Sequence, residues 1–558
     1  MQSSYVHHVR QQFDRYADTR SYIYLRESGR ELVEEVVTYR ALDRDARAFA
    51  QWLSGRPESA QPVVLLYLDG MAFLRAFLGC LYAGVVAVPA PLPAEDRAAQ
   101  RVGRIVADSG AQLVLTTSDF AELVAGTTTA AVVATDAPLG DADAWEMPEI
   151  DLGTIAFLQY TSGSTGTPKG VVVTHRNLLH NEAAIAAGGL TDASTGISWI
   201  PQFHDMGLIG MLLGAAYAGA NLVFMAPTAF IKRPVRWLQA IDKYRATYTA
   251  APNFAYDLIL RRVSDEQLAE LDLSSLETAL SGAEPVRART VDAVLDRFAP
   301  AGLSRTVFRP AYGLAEATLL VSAAAPGAAP VRYQGAGESA LIGCGSAARG
   351  LEIRIVDPST LRELPDGATG EIWVRGDSVA AGYWNRPAET RATFDAHLGT
   401  EGPFLRTGDL GLRHDGALFV AGRLKDLLIV NGRNVHPTDV EELVQGLHPA
   451  LAGNAGAAVS VDVLDRERLV VMQGVNPQLL GDTTLAELTS AIKVAVARGF
   501  EVPAPNVVLV AARSARSIHR TTSGKVQRGS MREAFLAHRL ERVLHEDLEP
   551  ALSRTLTV

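Results

Sequence analysis

The sequence predicts an α/β protein with a large N-terminal region of layered β and α elements, a β-rich stretch behind it and a smaller α+β region at the C-terminus. Three observations lead to this fold class. Short apolar runs alternate with helical periodicity up to Val321, turn-punctuated strand patterns follow, and helical patterns return after Arg423. A chain of 558 residues and 59.6 kDa also exceeds what one hydrophobic core usually serves, so we expect at least two domains.

The N-terminal third predicts a parallel sheet. The stretch YRALDRDARAFAQWL, from Tyr39, has apolar residues at helical spacing, PVVLLYL is a short buried strand, AFLRAFLGCLYAG is helical and VVAVPA is again a strand. Further buried strands are AQLVLTT, TIAFLQYTSG and NLVFMAP, and PVRWLQAIDKYRA is helical. Strands that alternate with helices in this way are joined by crossovers, which is the arrangement of a parallel sheet.

The chain after Val321 predicts a surface connection, a β-rich subdomain and then an α+β region. SAAAPGAAPVRYQGAGES has the Ala/Gly/Pro bias of a loop, whereas LEIRIVD, GEIWVRG and GALFVAGR are strand-like. Thr438 and Glu441 have the spacing of a capping box, which predicts a helix that starts near Asp439 and stops before Pro449. The stretch RSARSIHRTTSGKVQRGSMREAF predicts a basic loop that leads into a helix.

Composition and charge exclude several classes of protein. The formal charge of −10 and the pI near 5.7 argue against a general nucleic-acid surface, which needs clustered cations. With Cys80 and Cys344 as the cysteines, neither a disulfide framework nor a CxxC zinc site is available, and a reducing compartment is indicated. The start MQSSYVHHVRQQFDRYADTR is polar and lacks the apolar segment of a secretory signal, so we expect a cytoplasmic protein.

Two uncharged stretches raise the question of a membrane span. Ala76–Pro93 and Met206–Ile231 are both long enough to cross a bilayer. Glycines and prolines interrupt both stretches, so we expect each to be a buried helix that runs into a buried strand.

The run YTSGSTGTPKGVVVTH, Tyr160–His175, combines small residues, hydroxyls and one lysine just before three valines. Small residues let backbone N–H groups approach a ligand, hydroxyls add donors and the lysine adds a point charge, which together suit a polyphosphate. A P-loop is disfavoured, because Pro168 stands where GxxxxGK needs its second glycine, and Gly170 follows Lys169 in place of Ser or Thr. On composition alone, a flexible surface turn stays open as the alternative.

Five motifs in order resemble one enzyme superfamily. YTSGSTGTPKG is similar to the phosphate-binding signature of the acyl-adenylate-forming enzymes, which include acyl-CoA synthetases, nonribosomal-peptide adenylation domains and beetle luciferases. YGLAE from Tyr312, TGDLG from Thr407, GRLKDLLIVNGRNVHP from Gly422 and RTTSGKVQR from Arg520 resemble the later motifs of the same superfamily. Within it, PQFHDMGLIG, LSGAEPV and YGLAEATLLVS are most similar to fatty acyl-AMP ligases, which load fatty acids onto carrier proteins rather than onto CoA.

The resemblance implies a two-step reaction. A carboxylate attacks the α-phosphate of ATP, pyrophosphate leaves, and a thiol captures the acyl-adenylate. The implied cofactors are ATP and Mg²⁺, with no permanently bound organic cofactor, and the implied partners are a fatty or related carboxylic acid and an acyl carrier protein, with no nucleic acid and no membrane span. The implied domains are a large adenylation domain, residues 1–423, and a small mobile domain, residues 424–558, with a hinge at Lys425.

The resemblance also implies roles for single residues. Lys525, Glu316 and His204 are the expected catalytic residues, with Lys525 on the carboxylate and the α-phosphate, and His204 and Asp205 at the junction of acyl chain and adenylate. Glu316 and Thr161 are the expected Mg²⁺ ligands. The expected ATP- and AMP-binding residues are Thr161, Ser162, Gly163, Ser164, Thr165, Gly166 and Lys169 for the phosphates, Gly282, Ala283, Glu284, Pro285, Tyr312, Gly313, Leu314 and Ala315 for the adenine region, and Asp409 with Arg423 for the ribose.

Each role has a structural alternative. Lys525 and Lys425 could be solvated surface lysines, Glu316 could cap a helix N-terminus, and Asp409 could form an Asx-turn. The segment SGAEP could be a turn at the end of a strand. A His–Asp pair also suggests a hydrolytic triad, but no GxSxG elbow accompanies it, and a zinc site lacks a second histidine at ligand spacing.

Two departures from the family pattern bear on the acceptor of the acyl group. Fatty acyl-AMP ligases typically carry an insertion after the YGLAE region, yet the segment Ser322–Ala340 is short, and His436 replaces a common tyrosine. An acyl-CoA synthetase is therefore the closest alternative. Further alternatives are a luciferase-like oxidoreductase, a non-catalytic nucleotide or acyl-adenylate sensor, and an enzyme that activates amino acids. The basic tail with Arg513, Arg516, Arg520, Arg528 and Arg532 either steers an acidic carrier protein toward the active site or is a solvated surface.

Overall fold

The computed structural model divides into two compact units. It describes residues 4–29, 31–93, 96–137, 139–161, 168–334, 340–430, 433–463, 466–512, 517–520 and 526–556. The first unit comprises Met1–Ala336, Ala340–Thr407 and Gly411–Val420, and the second comprises Gly337–Ser339, Gly408–Leu410 and Ala421–Val558.

The helices lie in both units. In chain order they are α1 (Tyr5–Arg15), α2 (Tyr39–Ser54), α3 (Gly70–Ala83), α4 (Asp96–Ser109), α5 (Ser118–Ala125), α6 (His175–Ala187), α7 (Asp205–Gly207), α8 (Gly214–Ala218), α9 (Pro227–Lys232), α10 (Val235–Lys243), α11 (Asn253–Arg262), α12 (Asp265–Ala269), α13 (Ala288–Phe298), α14 (Pro387–Phe394), α15 (Pro437–Gly446), α16 (Leu485–Phe500), α17 (Arg528–Leu536) and α18 (Pro550–Leu556). A π-helix, Leu208–Leu213, joins α7 to α8.

The strands are mostly short. They are β1 (Ser21–Ser28), β2 (Glu31–Thr38), β3 (Val63–Leu65), β4 (Ala87–Pro89), β5 (Leu113–Thr116), β6 (Ala131–Ala134), β7 (Ile155–Thr161), β8 (Lys169–Thr174), β9 (Thr195–Ser198), β10 (Asn221–Met225), β11 (Tyr248–Ala251), β12 (Thr278–Ser281), β13 (Phe308–Gly313), β14 (Leu320–Ala323), β15 (Arg332–Tyr333), β16 (Leu341–Ile342), β17 (Ser346–Ala347), β18 (Leu351–Val356), β19 (Gly370–Gly376), β20 (Ala396–Leu398), β21 (Glu401–His414), β22 (Ala417–Arg423), β23 (Leu428–Val430), β24 (Arg433–Val435), β25 (Gly456–Val463), β26 (Arg466–Val475), β27 (Asn506–Ala511) and β28 (Val543–Asp547).

Two largely parallel sheets build the first unit. The nine-stranded sheet has the order β17-β14-β13-β12-β11-β9-β10-β1-β2, and its strands from β13 to β1 run parallel. The six-stranded sheet has the order β6-β5-β3-β4-β7-β8 and is parallel except for the antiparallel pair β7–β8. The predicted parallel arrangement is confirmed, and the structure adds that the strands belong to two sheets.

The two long uncharged stretches are buried helices that run into buried strands, as predicted. In the first, α3 leads into β4; α3 begins behind Asp69, whose carboxylate accepts hydrogen bonds from the N–H groups of Met71 and Ala72, and it ends at Gly84 with φ of +68°. In the second, the π-helix and α8 lead into β10. Within the described residues, no helix is long and apolar enough to cross a membrane.

Three buried tyrosines bond to carbonyls of the π-helix and the residues after it. The phenolic O–H of Tyr5 donates to the carbonyl of Leu213 over 2.7 Å, and that of Tyr22 donates to the carbonyl of Leu212 over 2.6 Å. Tyr39 donates to the carbonyl of Ala220 over 2.5 Å. All three side chains are fully buried, so these bonds satisfy polar groups that water does not reach. They fasten α1, β1 and α2 to the segment that follows α7.

A β-rich subdomain follows β17, as predicted. Its five-stranded sheet has the order β18-β19-β21-β20, with β22 paired to β21. Trp373 of β19 and Phe404 of β21 are both buried and share a small core with Val356. In the described part of the predicted surface connection, β15 pairs with β16.

The second unit has its own core and corrects one sequence prediction. Its four-stranded sheet has the order β25-β26-β27-β28, and α15 and α16 pack in its core. The predicted capping box is wrong: α15 begins at Pro437 behind His436, without a side-chain cap. Glu441 instead accepts a hydrogen bond from the N–H of Ala458 over 3.0 Å. Proline is common at the first helical position, because the N–H that it lacks would have no partner inside the helix.

Candidate active site

The carboxyl ends of the parallel strands β9, β12 and β13 lie at one edge of the nine-stranded sheet. Ser281, the last residue of β12, pairs with Pro310 of β13, so the segments after these two strands lie side by side. In open α/β sheets, ligands bind at the carboxyl edge of the strands. The predicted adenine residues 282–285 follow β12, residues 312–315 span the end of β13 and the two positions after it, and the pair His204–Asp205 follows β9.

The segment Gly282–Pro285 is a tight turn. A Cβ atom at Gly282 would lie 3.0 Å from the carbonyl oxygen of Ala311, a contact tighter than most that Cβ atoms make. Ala283 has φ of +67°, a region that residues with a Cβ rarely adopt. The carboxylate of Glu284 accepts a hydrogen bond of 2.5 Å from the N–H of Phe254, at the start of α11. The backbone of this turn is therefore held in one conformation.

The segment after β13 is equally constrained. A β-bulge lies between Tyr312 and Gly313, and a Cβ atom at Gly313 would lie 1.9 Å from the carbonyl oxygen of Leu319. The N–H of Leu314 donates to that same carbonyl over 3.0 Å. Thr318, with φ of +66°, closes the turn that carries Glu316. Strained backbone of this kind clusters at functional sites.

His204 and Asp205 form a compact pair after β9. Nδ1 of His204 lies 2.7 Å from Oδ1 of Asp205, and the N–H of Met206 donates to that Oδ1 over 2.7 Å. His204 is the N-terminal cap of α7, so its side chain lies at the positive end of that short helix. The structure brings the two predicted residues together.

Thr161 and Lys169 close the base of the predicted phosphate loop. They are opposite each other in the antiparallel pair β7–β8. The loop positions between them, Ser162, Gly163, Ser164, Thr165 and Gly166, lie outside the described residues. The ammonium group of Lys169 makes an ion pair with Glu389, and it lies 5.1 Å from the centre of the Tyr383 ring.

Sequence reasoning missed Tyr383 and Glu389. The phenolic O–H of Tyr383 donates a 2.9 Å hydrogen bond to Oε1 of Glu316. Burial and the Glu316 carboxylate raise the pKa of Tyr383, which keeps this donor protonated. Tyr383 stands in the stretch GYWNRPAET, before the first turn of α14, and its contact with Glu316 leaves no local signal in the sequence. Tyr383 therefore links the predicted metal ligand to the predicted phosphate-binding lysine.

Asp409 and Arg423 belong to the second unit, where they form an ion pair. Nε of Arg423 lies 2.8 Å from Oδ1 of Asp409, on neighbouring strands β21 and β22. Asp409 is buried, whereas the arginine side chain is 54% exposed. Lys425 is exposed in the 3₁₀ turn Leu424–Asp426 that follows β22. Lys525 lies outside the described residues.

His436, which departs from the family pattern, packs against Gly422. A Cβ atom at Gly422 would lie 2.8 Å from Nδ1 of His436, so glycine is what allows the imidazole to lie there. Nearby in the same unit, Arg528 of the basic tail pairs with Glu441 and Asp426. These ion pairs give Arg528 a structural role in the second unit, and its role in steering a carrier protein stays a prediction.

Comparisons with known proteins find similar proteins over most of the chain. The model of the family described as AMP-binding enzyme matches residues 9–384. The chain is 41% identical over 556 residues to the medium-chain-fatty-acid–[acyl-carrier-protein] ligase JamA of Moorena producens, with 94% of this chain and 93% of that protein covered. It is 38% identical over 522 residues to the long-chain-fatty-acid–AMP ligase FadD26 of Mycobacterium bovis, with 86% and 88% covered.

A solved structure is similar over nearly the whole chain. It is the fatty acyl-adenylate ligase from L. pneumophila in complex with acyl adenylate and pyrophosphate, which is 35% identical. The TM-score is 0.73, and the match covers 98% of this chain and 97% of that one. The likeness thus includes both the first and the second unit.

Proposed function

Because the chain belongs to the AMP-binding enzyme family of adenylate-forming ligases, we propose that it activates a fatty or related carboxylic acid and passes it to an acyl carrier protein. In the first step a carboxylate oxygen bonds to the α-phosphorus of ATP, and the bond to the bridging oxygen breaks to release pyrophosphate. In the second step the phosphopantetheine thiolate bonds to the acyl carbon, and AMP leaves.

One observation carries this proposal. Gly282–Pro285 follow β12, Tyr312–Glu316 start with the last two residues of β13, and His204–Asp205 follow β9, which β11 separates from β12 in the same sheet. The first two segments are suited to a flat base, because their backbones are fixed and Tyr312 supplies an aromatic ring. The His204–Asp205 pair supplies polar groups beside that platform, where the acyl chain and the adenylate meet.

In this proposal two lysines, Lys169 and Lys525, serve the phosphate chemistry. Adenylation brings an anion to a polyanionic nucleotide, so its barrier falls when cations and donors are fixed around the phosphates. Lys169 supplies a cation to the β- and γ-phosphates, and Lys525 supplies one to the carboxylate and the α-phosphate. Asp409 accepts hydrogen bonds from the ribose hydroxyls, with Arg423 oriented by its ion pair to the same carboxylate.

The donor set fits Mg²⁺ bound mainly by the nucleotide. Among the described residues, no group of three or more His, Cys, Asp or Glu side chains is arranged to hold a metal ion. Mg²⁺ commonly takes one or two protein oxygens and completes its shell with phosphates and water. Glu316, oriented by Tyr383, and the hydroxyl of Thr161 would hold it. The ion would neutralise charge on the departing pyrophosphate.

The carrier protein is proposed as acceptor because a relative of 41% identity is named as a ligase for acyl-carrier-protein. In this proposal residues 1–423 bind ATP and the acyl chain, and residues 424–558 turn about Lys425 between the two steps. An exposed position in a short turn suits such a hinge.

Product analysis tests the proposal. The full chain is incubated with ATP, Mg²⁺, carboxylic acids of graded length, a phosphopantetheinylated acyl carrier protein and excess CoA, and products are identified by mass spectrometry. We expect acyl-AMP and acyl-carrier protein. Acyl-CoA as the main product would overturn the acceptor, and no acyl-AMP with any acid would overturn the activity. Lys525→Ala should abolish acyl-AMP formation, whereas Lys243→Ala, an exposed lysine of α10, should leave it unchanged.

A further inference from the structure

Glu389 lies between two cations at the proposed phosphate site. Its Oε2 pairs with the ammonium group of Lys169, and its Oε1 accepts a 3.2 Å hydrogen bond from Arg386. Glu389 belongs to the first turn of α14, and its side chain is 39% exposed. The carboxylate thus bridges a proposed substrate-binding lysine and an arginine.

Arg386 has a second anionic partner that fixes it in place. Asp108, the penultimate residue of α4, makes an ion pair with Arg386 and accepts a 2.8 Å hydrogen bond from the phenolic O–H of Tyr160. Tyr160 directly precedes Thr161 in β7. Arg386 is therefore anchored through Asp108 to the strand that leads into the phosphate loop, and it keeps its position whether or not Glu389 holds Lys169.

Lys169 cannot hold Glu389 and a polyphosphate equally well. Its side chain is 23% exposed, so few directions of approach are left to a ligand. A phosphate that reaches the ammonium group also approaches the Glu389 carboxylate, and the two anions repel each other. The repulsion falls if the Glu389 carboxylate breaks its ion pair with Lys169 and keeps its hydrogen bond with Arg386. During this exchange the ammonium group of Lys169 stays over the face of the Tyr383 ring, and this contact limits how far the lysine moves.

We propose that Glu389 is a positioning residue that holds Lys169 before the nucleotide binds and competes with the pyrophosphate group for that lysine, while Arg386 neutralises the released carboxylate. Glu389 then weakens the binding of ATP and of the pyrophosphate product to the same site, and it speeds pyrophosphate release. This inference rests on the proposed role of Lys169 in phosphate binding. What is new is that the chain itself supplies an anion, the Glu389 carboxylate, which competes with the phosphates for Lys169.

The test compares Glu389→Gln with the wild-type full chain. The amide keeps the size of the side chain and removes its charge. We expect the KM for ATP and the inhibition constant of inorganic pyrophosphate each to fall about 2- to 5-fold, the range for a partly exposed ion pair, while kcat does not rise. Glu389→Asp, which keeps the charge, should move both constants back toward wild type. A KM for ATP that rises in Glu389→Gln would overturn the proposal, because Glu389 would then only orient Lys169.

Two further variants separate this inference from the proposed function. Glu34→Gln removes another partly exposed glutamate, 37% exposed, from a pair with Lys243, and it should leave both constants unchanged. Lys169→Met should raise both constants. If Lys169→Met changes neither, the phosphate-binding role of Lys169 fails. If Lys169→Met raises both and Glu389→Gln lowers neither, the competition by Glu389 alone is rejected.

Discussion

The phenolic O–H of Tyr383 donates a 2.9 Å hydrogen bond to Oε1 of Glu316, although 67 residues separate the two in the chain. Glu316 sits in a turn after β13, and Tyr383 precedes α14. The bond fixes the orientation of a carboxylate that is proposed to bind Mg²⁺. Second-sphere partners of this kind tune a metal ligand without touching the ion.

Tyr383→Phe tests this relationship. The variant keeps the ring next to Lys169 and removes the donor to Glu316. Because a hydrogen bond to a charged group contributes about 1.5–3 kcal/mol, we expect adenylate formation to fall about tenfold or more, with a higher requirement for Mg²⁺. Pyrophosphate-exchange rates at several Mg²⁺ concentrations measure both effects. Tyr333→Phe, on β15, is the control, and equal rates in the two variants would contradict the role of Tyr383.

Gly313→Ala should damage the site through the backbone. The added Cβ would meet the carbonyl oxygen of Leu319 at 1.9 Å, and a backbone atom cannot move aside as a side chain does. We expect activity to fall by more than about tenfold and the melting temperature to drop, because overpacking costs about 1–3 kcal/mol. Gly446→Ala, at the end of α15 with nothing within 4 Å, is the matched control. A Gly313→Ala enzyme with wild-type kinetics would refute the close packing of Gly313 against the backbone of Leu319.

His175 should make the stability of the fold depend on acid pH. Burial lowers the pKa of this imidazole, at the start of α6, from 6.5 to about 4, with a smaller effect of His7 in the same direction and of Asp151 against it. Between pH 6.5 and 4 the unfolded chain binds a proton at this residue that the folded chain does not, so stability falls as the pH falls through this window. The full difference is about 3 kcal/mol.

Chemical unfolding at pH 7.5, 6 and 4.5 measures this effect in the wild type and in His175→Gln. The wild type should lose more stability than the variant between the first and the last pH. Equal losses would mean that His175 is not held neutral in the folded state.

The ion pair of Glu441 with Arg528 should stabilise the second unit. Both oxygens of Glu441 accept hydrogen bonds from Arg528, at 2.7 and 2.8 Å, and the glutamate side chain is 5% exposed. Glu441→Ala leaves Arg528, whose side chain is 18% exposed, with one anionic partner fewer, and we expect a loss of about 3 kcal/mol, the lower end of the range for a broken buried pair. Differential scanning calorimetry of the full chain measures the loss. Glu533→Ala, an exposed position of α17, should change the melting temperature little, and a similar shift in both variants would argue against a special role of Glu441.

The sequence was informative where local patterns decide the structure. The alternation of apolar runs and helical periodicity predicted α2, α3 and the strands of the parallel sheets, because buried strands and amphipathic helices leave direct signatures. It could not predict the start of α15. The side chain of Glu441 accepts hydrogen bonds from Ala458 and Arg528, which lie in distant segments of the chain, and so does not form the expected capping box. The sequence also did not reveal that β1 lies beside β10, since strand order is set by long-range packing.

In the candidate site, too, the sequence predicted residues that stand in local motifs and missed residues whose role depends on long-range contacts. His204–Asp205 and the segments at 282 and 312 stand in recognisable motifs, and the fold places them after parallel strands of one sheet. Tyr383 and Glu389 escaped notice because their importance comes from contacts with Glu316 and Lys169, which lie far from them in the chain. A pairwise contact of this kind has no periodicity and no local composition that one sequence reveals.

The position of β1 between β10 and β2 bears on how the chain folds as it leaves the ribosome. Ser21 donates from its N–H to the side chain of Asn221, 200 residues later, and Tyr22 pairs with Leu222. At about 5–20 residues per second, β1 waits roughly 10–40 seconds for its partner strand to be synthesised. During that time its apolar face and open edge invite pairing with other chains. The N-terminal segment is therefore a part of the nascent chain that a chaperone has reason to cover.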